Sequence, residues 1–472
     1  MGRPGASTCP QCQVLAAELA SSKAEVAKLR EELAAARKNS TTSSKPPSSD
    51  IVKPPSLVGD EESEEPKRKI GGQPGHPKHD RQPFSPEEIT SFHTHPLDSC
   101  PRCGGGLRRN GDLARVMQQI DVPEIPLKVE QHTCPEYWCE HCQKSCWASL
   151  PLPTERAGLI GPNLMTLIGF MKGHCHASYS TIRTFLRDVV RVEVARSTLD
   201  KAVKKVSAAL EGTYEELAEV LPYEAVLNID ETGHKDNGKL WWTWCLRADL
   251  YTIFKIDAQR SADVLLDLLG SDFDGVIGCD YFSAYRRFMK LTDVTIQFCL
   301  AHLIRDVKFL TTLPGADERR YGERLREAIR NLFGVIHRRE KMSAGAFANE
   351  LQAARDWVLH CGMSDVPPTR AAQNMAKRFR EHGKAYFTFV TMPEVEPTNN
   401  LAEQAIRFVV IDRHITHGTR SEAGRRWCER IWTVIATCTQ QGKSVYKFVS
   451  QAVHNWLNGV DAPSLIPEVE LL

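Results

Sequence analysis

The sequence predicts a multidomain α/β protein in which a mixed sheet carries the chemistry and helical and metal-binding modules flank it. Three observations predict this. The chain has 472 residues, too many for one ordinary core, so two or three folded units are expected. Between residues 224 and 300, short apolar strand patterns alternate with helical ones, as in layered α/β structures. Two Cys-x-x-Cys knuckles, Cys100/Cys103 and Cys139/Cys142, precede that region and suit a small metal-stapled module.

Composition sets limits. Hydrophobic content of 42% and charged content of 25% are ordinary for a globular chain, so a sizeable core can be buried. A net charge of +1 does not announce a nucleic-acid partner. The basic residues nevertheless crowd the far end, where Arg407, Arg413, Arg420, Arg425, Arg426, Arg430, Lys443 and Lys447 face few acids. That clustering is what a phosphate-binding surface leaves, the alternative being a solvated helical face. The opening MGRPGASTCP lacks the apolar stretch of a secretory signal, and Ala6 stands where myristoylation needs Ser or Thr. The longest apolar run, around 164–171, is too short to span a bilayer. A soluble protein of a reducing compartment, without a membrane partner, is expected. In a reducing compartment its 15 cysteines read as metal ligands and buried thiols, not disulfides.

Residues 1–38 read as a coiled coil. Leu15, Leu19, Ser22, Val26, Leu29, Leu33 and Ala36 step by four and three, the heptad rhythm of a two-stranded seam that Ser22 interrupts. A self-association helix, and hence a homo-oligomer, follows. Cys9 and Cys12 form a CxxC with no second pair nearby. Residues 39–92, rich in Ser, Pro, Gly and mixed charge, have almost nothing to bury and read as a disordered linker. Residues 93–150 hold the paired knuckles, and four thiolates there would bind a structural Zn²⁺ with no open position for chemistry. The strand-like stretch 127–132 would form a hairpin between them; Cys134, Cys146, His93 and His95 are alternative ligands, and buried free cysteines are the plainer alternative.

Residues 158–212 read as helices. Ser180–Leu186 forms one amphipathic segment, and Arg196 opens a second with Ser197 or Thr198 as its cap. The pair resembles a helix-turn-helix, with Arg196 and Lys201 of the second helix as candidate DNA contacts; a plain structural bundle is the alternative. His174 and His176 read as polar surface or capping groups.

Residues 222–313 and 393–415 are the predicted catalytic domain. A strand over 225–230 ends in Asp230; strands over 239–246 and 250–256 follow, joined by turns such as Asp236-Asn237-Gly238. A helix over 261–269, a strand over 275–280 ending in Asp280, a helix through Phe288, a strand over 294–298 and a helix from Leu300 complete it. A three-strand meander joined to two crossover units resembles the ribonuclease H architecture. Residues 314–392 read as an inserted all-helical domain, and 416–472 as C-terminal helices.

Asp230, Asp280 and Glu403 carry the candidate chemistry. Cleaving a phosphodiester means overcoming the repulsion of its oxygens and stabilising a poor leaving group. Two Mg²⁺ (or Mn²⁺) ions about 3.5–4 Å apart can do both, and a few converging carboxylates suffice to hold them. Adjacent parallel strands would bring Asp230 and Asp280 together, and Glu403 on a later helix would be the third ligand. Without metal such a cluster repels itself strongly. The plainer readings are ordinary strand-end acids, and for Glu403 a capping box with Asn400. Glu231 points to the other side of the strand and is not a ligand. Arg407, one helical turn after Glu403, either pairs with it or holds a phosphate.

Seven segments then carry a specific resemblance: SSKPPSSD (43–50), GGQPGHP (71–77), the paired knuckles, DETG (230–233), CDYFSAY (279–285), CLAH (299–302) and PTNNLAEQAIR (397–407). In this order the chain resembles bacterial insertion-sequence transposases of the sixty-six family, TnpC type, within the DDE class. The resemblance implies a DNA transposase with Asp230, Asp280 and Glu403 as its triad, and end recognition by the linker, zinc module and helix-turn-helix. Cys299 and His302 match a C-x2-H element that supports such sites, since two ligands on one helical turn cannot hold zinc; Asn400 is a further supporting residue. Leu401 and Gln404 depart from the family's frequent arginines, which bears on DNA contacts there. Partners implied are double-stranded DNA, at transposon ends and target, and accessory proteins of the same element. Two other readings are a zinc and helix-turn-helix DNA-binding protein with a non-catalytic core, and a nuclease that cuts without joining.

Overall fold

The computed structural model describes residues 10–36, 84–89, 92, 102–105, 116, 118, 127–134, 136–139 and 141–466. The chain divides into two units, Ser56–Glu130 and Met1–Pro55 with Gln131–Leu472. In the first, the Gln118 amide clasps the backbone of Phe84: the Phe84 N–H donates to Oε1 at 2.7 Å and Nε2 donates to the Phe84 carbonyl at 2.9 Å. Most of the expected linker, with Cys9, His93, His95 and Cys100, lies outside the described residues.

The second unit opens with α1 (Pro10–Ala36), whose heptad residues Leu19, Val26, Leu29 and Leu33 are exposed. An antiparallel hairpin follows, β1 (Glu136–Cys139) and β2 (Lys144–Trp147), with Cys139 opposite Lys144 and Cys142 in the connecting turn. The hairpin expected from 127–132 is therefore displaced: that stretch has no regular structure. Alternation alone does not make a strand without a partner, whereas the knuckle supplies a tight turn between aromatic-rich, strand-favouring segments.

A helical layer comprises α2 (Leu152–Ala157), α3 (Pro162–Gly173), α4 (Tyr179–Phe185), α5 (Arg196–Ala209) and α6 (Glu211–Val220). Ser178 caps α4 by accepting from the Thr181 N–H at 3.0 Å. One wide turn, Leu186–Val190, extends α4 until Arg191 stops it in the left-handed region (φ 61°). The cap of α5 is Ala195, with no side-chain bond. The expected Ser197 and Thr198 caps fail because the helix already begins at Arg196, which places both inside its first turn.

The sheet has β3 (Val226–Asp236), β4 (Lys239–Arg247), β5 (Thr252–Asp257), β6 (Val276–Cys279) and β7 (Thr295–Phe298), in the order β5-β4-β3-β6-β7. The first three run antiparallel, while β6 and β7 are parallel to β3. Asn237 and Gly238, at φ 49° and 79°, form the tight β3–β4 turn that two positive φ values permit. Helices α7 (Ala262–Leu269) and α8 (Ser283–Leu291) make the crossovers. β3 is longer than expected. It pairs with β4 through Asp236, but its parallel pairing with β6 stops at Asn228 opposite Gly278. Asp230 thus lies not at the strand end but just past the point where the strand loses its parallel neighbour.

The chain continues through α9 (Leu300–Thr311), α10 (Ala316–Ile336), α11 (Ala344–Met363), α12 (Arg370–His382), α13 (Thr388–Thr391), α14 (Asn400–Thr416), α15 (Glu422–Gln440) and α16 (Val445–Asn458). Trp244, Phe254, Tyr285, Phe288, Phe298 and Trp432 are fully buried around the sheet.

Helix α15 seals the outer edge of β5. Backbone N–H groups of Thr252, Phe254 and Ile256 donate to Thr437 Oγ1 (3.1 Å), Thr433 Oγ1 (3.0 Å) and Glu429 Oε1 (2.8 Å). Two residues of strand advance about 6.6 Å and four residues of helix about 6.0 Å, so the two spacings run in step. The edge is closed to further strands without a sixth strand. Thr433→Val keeps the volume but leaves the buried Phe254 N–H without an acceptor. It is expected to cost about 1–3 kcal/mol, read as a lower urea midpoint at unchanged slope; a variant as stable as the parent would refute this account of the edge.

Candidate active site

The pairing of β3 with β6 sets the site. Asn228 stands opposite Gly278, so two residues further along each segment Asp230 and Asp280 reach the same level. Both remain partly exposed. The Asp280 carboxylate accepts the Phe282 N–H at 2.8 Å, which fixes the turn into α8.

Glu403, in the first turn of α14, is brought in by Asn399. The buried Asn399 amide donates to the Ile229 carbonyl at 2.7 Å, beside Asp230, and its backbone N–H donates to Cys299 Sγ at 3.1 Å. The Leu300 N–H donates to the Pro397 carbonyl at 3.0 Å, tying the same segment to α9. The alternative reading of Glu403 as part of a capping box fails: Asn399, not Asn400, precedes the helix, and Asn400 is exposed. Glu403 Oε1 lies 3.3 Å from Arg305 Nη2 and 3.5 Å from His302 Nδ1, both on α9. Arg407 is exposed and is not the ion-pair partner of Glu403.

Electrostatics gives the cluster its character. Burial holds the Asp230 carboxyl well above the usual carboxylate range, and the charges of Glu231, Asp280 and Glu403 push the same way. Asp280 is pushed up to about 7 by burial and by Glu231, against the opposing Phe282 N–H, Arg260 and Arg378. The acids therefore feel one another as like charges, and hard divalent cations fit such a set of oxygen donors.

Glu231 was set aside from sequence as facing away, and its carboxylate is indeed held by other partners: Arg260 Nε at 2.8 Å and the Tyr285 hydroxyl. Its charge nonetheless reaches both aspartates, because the side chain is buried where water screens little. Arg260 is stacked 3.7 Å from the Phe282 ring and 4.4 Å from the Trp242 ring. Arg378, buried in α12, donates to Asp306 at 2.7 Å and to the Tyr386 hydroxyl and lies 3.9 Å over the ring of Tyr281, next to Asp280. Sequence reasoning missed Arg260, Arg305, Arg378 and Asn399. Only for Asn399, inside PTNNLAEQAIR, was there a local signal.

Elsewhere, Arg196 and Lys201 are exposed on α5, as a DNA contact requires. Arg413 is not free: its guanidinium donates to Thr232 Oγ1 at 3.1 Å and to the Gly233 carbonyl, tying α14 to β3. Arg425 pairs with Asp236, Arg426 with Glu429 and Arg430 with Glu211. Much of the expected basic surface is thus engaged within the protein, since helices packed on acidic neighbours turn their arginines inward. His176 also departs from expectation: half-buried, it places Nδ1 3.1 Å from the buried Asp412 and joins the α3–α4 turn to α14. In the knuckles, Cys103 and Cys142 are exposed, with Cys139 on β1.

Comparison with known proteins adds three family matches and one similar protein. Residues 157–426 match the family described as Transposase IS66 family. Residues 98–143 match the zinc-finger binding domain of transposase IS66, and residues 1–82 match a family of unknown function. Uncharacterized protein y4hP of Sinorhizobium fredii (strain NBRC 101917 / NGR234) is similar, 23% identical over 386 residues, covering 73% of this chain and 68% of that protein.

The raised Asp280 yields a pH prediction. Its folded value of about 7 exceeds its ordinary 3.8, so the folded state binds the proton more tightly than the unfolded one. The group then costs nothing at low pH and progressively destabilises the fold as pH rises through about 4 to 7. Metal-depleted protein is expected to lose Tm between about pH 4 and 7, and Asp280→Asn to lose less. Added Mg²⁺ is expected to raise Tm more at the higher pH. Equal slopes for parent and variant in thermal melts would contradict this assignment.

Proposed function

The chain belongs to the IS66 transposase family, and from that premise we propose that it cleaves DNA at transposon ends and transfers the strand to target DNA, using Asp230, Asp280 and Glu403. The observation that carries the reading is the matched level of Asp230 and Asp280, with Glu403 close enough for its charge to act on Asp230. Two Mg²⁺ (or Mn²⁺) ions, when bound, would supply activation of the attacking oxygen and stabilisation of the leaving one.

The residues of the chain then have distinct tasks. Asp230 offers its carboxylate from within β3 and Asp280 from just past the end of β6, while Glu403 closes the site from α14. Asn399 holds α14 against β3, and Arg260, paired with Glu231, braces the segment after Asp280 by stacking on Phe282. Arg407, exposed one turn beyond Glu403, is a phosphate contact in this reading.

Three antiparallel strands with two parallel strands beyond the first support a ribonuclease H-like core, comprising 222–313 and 393–415 with 314–392 as its helical insertion. Helices α4 and α5 within 158–212 serve as a helix-turn-helix-like unit, with Arg196 and Lys201 toward DNA. The zinc-finger match supports a structural Zn²⁺ on Cys100, Cys103, Cys139 and Cys142 within 93–150. The exposed heptad face of α1, within 1–38, supports pairing of two chains, consistent with holding two DNA ends. Residues 39–92 link the two, 416–472 complete the helical layer, and accessory proteins of the same element are further partners. No described helix is long and apolar enough to cross a membrane; the cytoplasmic, nucleoid-associated role follows from the proposed action on DNA.

Asp230→Asn, Asp280→Asn and Glu403→Gln are each expected to lower Mg²⁺-supported cleavage and joining by more than about 100-fold, the upper range for merely outer-shell residues, while end binding persists. Cleavage and joining assays on DNA carrying the element's ends make the measurement. Normal joining by all three variants would rule the mechanism out, and binding without nicking by the parent would favour a DNA-binding role alone.

A further inference from the structure

A second cluster of metal-binding atoms lies behind Glu403. Cys299 Sγ, His302 and a Glu403 carboxylate oxygen all lie within 4.8 Å of one another. Cys299 immediately precedes α9 and His302 is one turn into it, while Glu403 arrives from α14 roughly 100 residues later. The Cys-x-x-His pair offers only two ligands; the fold adds a third from outside its helix.

The surroundings favour a bound cation. Cys299 Sγ accepts the backbone N–H groups of Asn399, His302 and Ala301, at the positive end of a helix. Burial, the larger effect, pushes the thiol up against these donors; as a ligand, the sulfur selects borderline-soft ions over Mg²⁺. His302 Nδ1 is buried, has no hydrogen-bond partner among the described residues and lies 3.5 Å from Glu403 Oε1. Bond lengths of about 2.0–2.3 Å around a tetrahedral Zn²⁺ put neighbouring ligand atoms roughly 3.3–3.6 Å apart. The imidazole and carboxylate already have that separation, and the thiol, within 4.8 Å of both, has to close by no more than about 1 Å. Arg305 Nη2 approaches the same oxygen at a long 3.3 Å; it is about a quarter exposed and can swing to solvent as an ion enters.

We propose that Cys299, His302 and Glu403 form a site for a Zn²⁺-class cation, distinct from the knuckle cysteines and sharing Glu403 with the proposed aspartate site. The fourth position is open to water. Such an ion pins α14 to α9 through Glu403; any effect on cleavage rests on the functional reading above, whereas its binding does not.

The test counts zinc in full-length protein, stripped with chelator, reloaded with Zn²⁺ and freed of excess ion, by elemental analysis. Cys299→Ser and His302→Gln are each expected to retain one equivalent fewer than the parent, and Asp280→Asn the same as the parent. The knuckle zinc is common to all. His302→Gln leaves the Cys299–Asn399 bond in place and gives the readout even where Cys299→Ser does not fold. Full zinc in folded His302→Gln would overturn the site, as would an equal loss in Asp280→Asn, which would put the ion on the aspartates. Failure of the cleavage mechanism would leave the count unchanged, so the two ideas fall separately.

Discussion

Carboxylates crowded into a poorly hydrated space repel one another, and this constraint organises the surrounding structure. Strand β3 carries Asp230 past the end of its pairing with β6, where Asp280 stands at the same level. Glu231, on the other side of the strand, adds a further negative charge that both aspartates feel. Burial and repulsion raise both carboxyls, so the metal-free arrangement is held against its own electrostatics by the rest of the fold. Strain of this kind has a use where cations bind.

The counter-charges lie around the acids. Arg260 pairs with Glu231 and stacks on Phe282; Arg305 approaches Glu403; Arg378 pairs with Asp306 and lies over Tyr281. None of these cations pairs directly with Asp230 or Asp280 among the described residues. The consequence is a rim of arginines that holds the walls in place while leaving the aspartate oxygens for other ligands. Because Arg378 belongs to α12, the helical stretch between α9 and α14 touches the segment next to Asp280, and any shift of α12 is felt there.

The helices beyond the site have a different task. By matching strand and helix spacings, α15 satisfies the outer edge of β5 with Thr437, Thr433 and Glu429. Arg413 and Arg425 tie α14 and α15 to the far half of β3 through Gly233 and Asp236. The C-terminal basic residues thus stiffen the sheet on which the acids stand. Charge clustering along a sequence does not distinguish this role from a phosphate surface, because it carries no information about which acids lie opposite.

The sequence by itself determined the strand and helix order of the central region, the Asn237-Gly238 turn, the acids on neighbouring strands and the paired knuckles. Each follows from alternation, turn chemistry or short spacing, which neighbouring residues encode. Where a local signal had to be arbitrated by partners, it failed: 127–132 alternates but finds no strand, and Asn400 fits a cap that Asn399 occupies. Only the tertiary structure decided that Asn399 bonds Ile229 across 170 positions, that Arg305 rather than Arg407 faces Glu403, and that Glu403 completes a donor set with Cys299 and His302. Those contacts are chosen by how the helices pack on the sheet, and that packing depends on the whole core rather than on any local run of residues.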